Sequence, residues 1–235
     1  MKCYFQGCTN RGITKEHIPP RSFFPKGENE QLLTIKSCEI HNNRKSIDDQ
    51  YILAQICMNA SPSNRAQEVF LKKIEPQLSH NDGAFKKMLS KGAVSLPDGS
   101  VKYPVDISRF DDFFTALSCG VIFKACNEQL PENYFIHHQY PNFSNENSDE
   151  LGVRVFSEFE SLIAGDPIAA LDFGKPNTKN ERIYSVRVFG MPGFKSSITV
   201  VHLFYGKFKV VSFLTNIHRK TANNSIQPTL ASERG

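Results

Sequence analysis

Two short pairs of metal-binding side chains open the chain: Cys3 with Cys8, and, 29 residues further on, Cys38 with His41. The first ten residues, "MKCYFQGCTN", contain no apolar secretory core, so the expected compartment is the cytoplasm. There cysteines stay reduced, and six of them point to metal binding or burial rather than to disulfides. Two close pairs on separate turns can surround a tetrahedral zinc with three thiolates and an imidazole. The competing reading is three buried cysteines and one surface histidine. Four candidate ligands in two tight pairs within 41 residues favour the zinc.

The rest of the chain must then be organised around that site. With 40% hydrophobic and 22% charged residues, it can build a packed core. No stretch approaches ~20 uninterrupted apolar residues, so no membrane span is expected. The pattern predicts an α+β protein in three parts and a tail. Residues 1–58 hold the chemically suggestive spacing, 59–130 read as helical, 131–220 as β-rich, and 221–235 as a loose polar tail. "SNRAQEVFLKKIEPQL" predicts a helix capped by Asn64 and stopped at Pro76. "SRFDDFFTALSCGVIFKACNEQL" predicts a core helix with a capping box at Ser108 and Asp111, and Phe110, Phe113, Phe114, Leu117 and Val121 on one face. Between them, Pro97, Asp98 and Gly99 mark a hairpin or loop. The Pro/Asn-rich run after residue 130 reads as a connection that puts His137 and His138 on an exposed loop. "GVRVF", "RIYSVRVFG", "SSITVVHLFYG" and "KFKVVSFL" read as strands, with a turn at Gly206 and Lys207.

Inside the loop bounded by the two metal pairs lie Glu16 and His17, and one residue past the second pair lies Asn42. Hydrolysis of a phosphodiester requires a base to deprotonate water and a hard cation to offset charge on the phosphate and leaving oxygen. A neutral histidine supplies the base, and a carboxylate plus an amide oxygen can hold Mg²⁺. Neighbours on a strand point to opposite faces, so Glu16 and His17 can serve different roles. Taken singly, each residue reads as a surface group or a helix cap.

Together they resemble the HNH nucleases, the ββα-metal or His-Me finger group, in the variety braced by a four-ligand zinc. The matching residues are Cys3/Cys8, then Glu16-His17-Ile18-Pro19, then Cys38-Glu39-Ile40-His41-Asn42-Asn43-Arg44-Lys45. The resemblance covers about residues 1–55. It implies an N-terminal zinc-braced ββα-metal motif and a DNA-cleaving activity, with RNA also open to the same chemistry. It further implies His17 as general base, Glu16 and Asn42 as ligands of a catalytic Mg²⁺ or other divalent ion, and Cys3, Cys8, Cys38 and His41 as ligands of a structural zinc. The acid here is Glu where the family more often has Asp, and His41 replaces the last cysteine. The family's middle Asn has no clear counterpart: Gln31 is nearest in register and Asn29 nearest in type. The alternative function is a catalytically inactive zinc module that binds nucleic acid or protein.

In the helix that follows, Ser46 with Asp49 fits a capping box, and Asp48 and Asp49 read as its cap rather than a second metal site. Cys57, Cys119 and Cys126 read as core thiols. His202 alternates with Val201 and Leu203, and its face depends on register. From 182 to 220 there are seven basic residues and no Asp or Glu. Arg187, Lys195, Lys207 and Lys209 can therefore track a phosphate backbone, with Phe189, Phe194, Phe204, Tyr205 and Phe208 available to stack on bases; the competing reading, of equal weight, is a solvated strand face whose aromatics are core. Should that face bind something else, a second copy of the chain or a partner protein is the expected occupant.

Overall fold

A computed structural model describes residues 1–25, 32–43, 46–60, 62–143, 171–172, 183–190, 194 and 197–216. Near the N-terminus, strands β1 (Thr14–His17) and β2 (Thr34–Ser37) pair antiparallel, with Glu16 opposite Ile35 and His17 opposite Thr34. Two helices follow, α1 (Glu39–Asn43) and α2 (Ser46–Asn59). The next helical segment begins at α3 (Asn64–Val69), where the Ser63 hydroxyl accepts from the Ala66 N–H, so the cap is one residue earlier than expected.

Pro76 does not stop that segment. Its missing N–H is accommodated by a π-helical turn over Phe70–Ile74, in which Glu75 N–H bonds to the Phe70 carbonyl, and α4 (Glu75–Leu78) continues beyond it. After α5 (Ala84–Leu89), the Pro97–Gly99 signal produces a hairpin, β3 (Val94–Ser95) with β4 (Val101–Lys102). The long helix α6 (Ile107–Cys126) is capped by Asp106 rather than by a Ser108/Asp111 box, and Ser108 donates to Asp106 instead. All five apolar positions expected on its buried face are buried.

The C-terminal part is a five-stranded antiparallel sheet in the order β5-β9-β8-β7-β6. Its members are β5 (Tyr134–Gln139), β6 (Leu171–Asp172), β7 (Tyr184–Phe189), β8 (Ile198–Phe204) and β9 (Phe208–Asn216). The loop reading of 134–139 is thereby corrected: alternation along YFIHHQ turns Tyr134 and His138 inward and leaves Phe135 and His137 exposed. The strand expected at "GVRVF" lies outside the described residues, as does the tail. No described helix is long and apolar enough to cross a membrane.

Helix α6 holds the two halves together. One side meets the β1–β2 pair where Gly120 removes the side chain. A Cβ there would lie 2.9 Å from Ile35 Cδ1 and 3.0 Å from Ile18 Cγ2. The other side meets the sheet through Phe114, which packs on His138, His202 and Phe204. Buried residues from all three expected segments join one apolar core, including Ile18, Ile35, Ile52, Phe110, Val200 and Leu214.

Candidate metal centre and the surrounding site

Cys3 and Cys38 are buried and Cys8 partly so, and their sulfurs converge with an imidazole nitrogen of His41. All four ligand atoms lie within 4.8 Å of one another. Cys8 Sγ is 3.9 Å from Cys38 Sγ, while Cys3 Sγ is 3.5 Å and Cys38 Sγ 3.1 Å from His41 Nδ1. A tetrahedral zinc with bonds of about 2.3 Å to sulfur and about 2.0–2.1 Å to nitrogen has S–S edges of about 3.8 Å and S–N edges of about 3.5 Å. The cluster has that size and that donor set, so it can hold a metal ion such as zinc.

The chain shapes the cluster by local means. Gly7, at φ +69°, lets the backbone turn between Cys3 and Cys8, and Cys8 N–H returns to the Phe5 carbonyl. The Cys38 carbonyl accepts from Asn42 N–H, which starts α1 and brings His41 around onto the sulfurs. Phe5 stacks on the His41 ring at 4.3 Å. Asn10 reaches Cys38 Sγ at 4.0 Å. Burial pushes the Cys3 thiol up to about 11. Burial also acts upward on Cys38, but the His41 backbone and the neighbouring Cys3 and Cys8 bring it below the usual thiol value. A bound cation would favour the thiolate at every one of these positions.

Two glutamines lock the knuckle to the far end of α6. Gln129 Nε2 donates to the carbonyls of Cys3, Phe5 and Cys8 at 2.7, 3.0 and 2.8 Å. Gln6 Nε2 reciprocates to the carbonyls of Pro131 and Tyr134. These residues carried no sequence signal, because a single glutamine says nothing about a partner 121 to 128 positions away.

Glu16 and His17 leave β1 on opposite faces. Glu16 is buried at 7% exposure, and Tyr4 donates its hydroxyl to Glu16 Oε1 at 3.2 Å. His17 is half-buried on the other face. Burial first, then the cations of Arg21 and Lys15, hold its imidazole below the usual histidine value, against an upward pull from Glu16. That direction favours the neutral imidazole. Asn42, in α1, is half-buried. The segment after His17 begins with the cis Ile18–Pro19 bond, and its carbonyls are gripped from two sides. Lys73, from the π-helical turn, donates to Ser22 and Phe24, and Tyr205 donates to Phe23. Gln31 and Asn29 lie outside the described residues.

The basic C-terminal stretch divides. Arg187 is exposed on β7 and Lys207 is exposed at the β8–β9 turn, while Lys209 is half-buried; Lys195 lies outside the described residues. Phe204, Tyr205 and Phe208 are core residues, with Tyr205 4% exposed and the other two fully buried, so none is free to stack on a base. Phe189 is also buried, and Phe194 packs on Tyr134. Strand alternation puts Phe135 and Phe213 on the same face as Arg187, Lys209 and Phe189, and of these aromatics Phe135 is exposed, Phe213 half-buried and Phe189 buried. His202, whose face the sequence left open, points inward and is fully buried.

Comparison with protein-family models, with curated proteins and with solved structures gives no match.

Proposed function

We propose that this chain is a metal-dependent endonuclease of the HNH kind, cleaving phosphodiester bonds in DNA by preference and in RNA by the same chemistry. The observation that carries the reading is the placement of His17. It sits half-exposed on a strand, where burial and two cations favour the neutral imidazole, and that strand packs against α1, the helix that carries His41 of the metal cluster. A neutral imidazole in that position can take a proton from an attacking water. Cys3, Cys8, Cys38 and His41 would hold a structural zinc, whose role is to fix α1 and the strand pair. Glu16 and Asn42 would hold a hard divalent cation such as Mg²⁺, which when bound offsets negative charge on the phosphate and the leaving oxygen. The exposed Arg187 and Lys207, with Lys209, extend the positive surface over the β-rich part.

The test is incubation of purified protein with plasmid DNA and with total RNA, with and without Mg²⁺, beside His17→Ala. General-base catalysis supplies roughly 10²–10⁴-fold, so His17→Ala should retain at most about one per cent of the rate with zinc content intact. Equal cleavage by the variant sinks the assignment of His17. A second reading draws on Glu16. Its carboxylate is turned into the interior and engaged by Tyr4, a posture that suits a structural residue. On that reading the chain is a catalytically inactive zinc module that binds nucleic acid or protein. Mg²⁺-independent binding without cleavage by the wild type would select it.

A further inference from the structure

The face of the β1–β2 pair that carries His17 also carries an arrangement that is unfavourable in the free protein. Lys15 and Lys36 stand directly opposite each other in the antiparallel register. Directly opposed residues have Cβ atoms about 4.5–5.5 Å apart, and like charges there repel. Lys15 lies two residues from His17, hence on the same face, and Lys36 lies diagonally across from it.

A second like-charge pair adjoins the first. Lys2 and Arg11 oppose each other in an antiparallel bridge. The two pairs meet at Gly12, where a Cβ would come within 2.9 Å of both the Lys2 carbonyl and Lys36 Cβ. Three backbone segments therefore converge with four cations on them. Among the described residues, no ion pair involves Lys2, Arg11, Lys15 or Lys36. The first 45 residues hold eight Lys and Arg against four Asp and Glu, and one of those acids is the inward-facing Glu16.

We infer that Lys15 and Lys36, continued by Lys2 and Arg11, form a phosphate-backbone track that seats a nucleic-acid strand against the His17 face. An anion between opposed cations turns mutual repulsion into shared attraction, and a repeating phosphate chain supplies one such anion per cation. Arg21, exposed in the turn that follows β1, adds a further cation near His17. The track deepens the nuclease reading by placing the scissile strand beside the proposed base. The contact itself depends only on charge.

The experiment measures binding without cleavage. Anisotropy of a short fluorescein-labelled DNA duplex, without added Mg²⁺ and over a salt series, compares wild type with Lys15→Gln/Lys36→Gln and with Lys86→Gln/Lys87→Gln. The last pair is exposed on α5, an element outside the β1–β2 pair. Loss of two phosphate contacts should flatten the slope of log K against log salt by about 1.8 and weaken binding about tenfold or more at low salt, whereas the α5 variant should match wild type. The same Lys15/Lys36 variant should unfold at a higher temperature, because a repulsive pair has been removed. Weaker binding with raised thermal stability supports the track. Unchanged affinity and slope overturn it, and so does weaker binding that comes with lost stability or lost metal, since that marks a structural role. Absence of cleavage by the wild type would end the nuclease reading and leave this binding result standing.

Discussion

Tyr4 and Glu16 meet across 3.2 Å beneath β1, and this contact sends the carboxylate inward while its neighbour His17 looks out. Tyr4 is fully buried, and burial together with the Glu16 charge pushes its phenol far above the usual tyrosine range, so it remains a donor at any working pH. A carboxylate that must reach a divalent ion would have to share or release that donor. Tyr4→Phe should therefore lower unfolding stability by about 1–2 kcal/mol, the cost of one partner lost from a buried bond. It should also lower the Mg²⁺ concentration giving half-maximal cleavage. Metal titrations of the two proteins, read by plasmid nicking, check this; a raised Mg²⁺ requirement would show that Tyr4 holds Glu16 in the posture that binds the ion.

The metal cluster depends on a residue far from it in sequence. The two N–H of one Gln129 amide are shared among three carbonyls of the Cys3–Cys8 knuckle, and Gln129→Ala takes that donor from Cys3 and Cys8, while the Phe5 carbonyl keeps the Cys8 N–H. Each orphaned buried carbonyl costs about 1–3 kcal/mol, less where water can enter. Wild-type protein should contain about one zinc per chain, and Cys38→Ser should lose both the metal and the fold, since structural zinc contributes directly to folding. Gln129→Ala should keep its zinc but release it faster to a chromogenic chelator. Equal release rates would confine the clamp to a role in packing.

How much of this was legible in the sequence follows from the range of each interaction. The metal cluster was legible because its ligands sit three and five positions apart, and local turns bring such pairs together whatever the rest of the chain does. The buried face of α6 was legible because Phe110, Phe113, Phe114, Leu117 and Val121 keep helical spacing. The inward turn of His138 was not, since alternation in β5 is hidden by flanking Pro and Asn residues and its register is set by β9. Nor was the fate of Phe204 and Phe208. They are directly paired across the β8–β9 turn and face the helix, and only register decides that. The stop assigned to Pro76 failed because a π-helical turn absorbed it, which the sequence does not announce.

Gly120 marks a close approach of α6 to Ile35 on β2 and to Ile18 just past β1. In an open helix, alanine would be better than glycine by about 1 kcal/mol. Here the new methyl would press on Ile35 Cδ1, the tip of a side chain that can turn aside, and on Ile18 Cγ2, which cannot. Overpacking of this kind costs about 1–3 kcal/mol, so Gly120→Ala should come out destabilised by about 1 kcal/mol. Adding Ile35→Val removes one of the two clashing methyls and should recover part of the loss. Urea unfolding of the two single variants and the double variant checks this. Simple additivity would place the helix further from β2 than the contact distances say.

The last prediction concerns acid. His138 and His202 lie between α6 and the sheet, each held by two hydroxyls: Thr115 and Ser212 for His138, Ser118 and Tyr184 for His202. Burial, with a smaller push from neighbouring His137, lowers His138 to about 3. Burial, again aided by a neighbouring imidazole, takes His202 well below the usual value. In the unfolded chain both titrate near the ordinary value of 6.5. As pH falls through that value the unfolded state takes up two protons that the folded state refuses, so stability declines with acidification until the folded-state values are reached. The pair contributes a slope of at most about 2.7 kcal/mol per pH unit over that window. His202→Gln keeps a side chain able to bond Ser118 and Tyr184 but cannot take up the proton. It should be less stable at neutral pH, and its stability should fall less steeply on acidification, by up to about 1.4 kcal/mol per pH unit. Carboxylates and metal ligands contribute equally to both proteins, so the difference in slope isolates the histidine. Urea midpoints measured from neutral pH down through the histidine range provide the comparison, and parallel curves would mean that His202 is charged within the folded core.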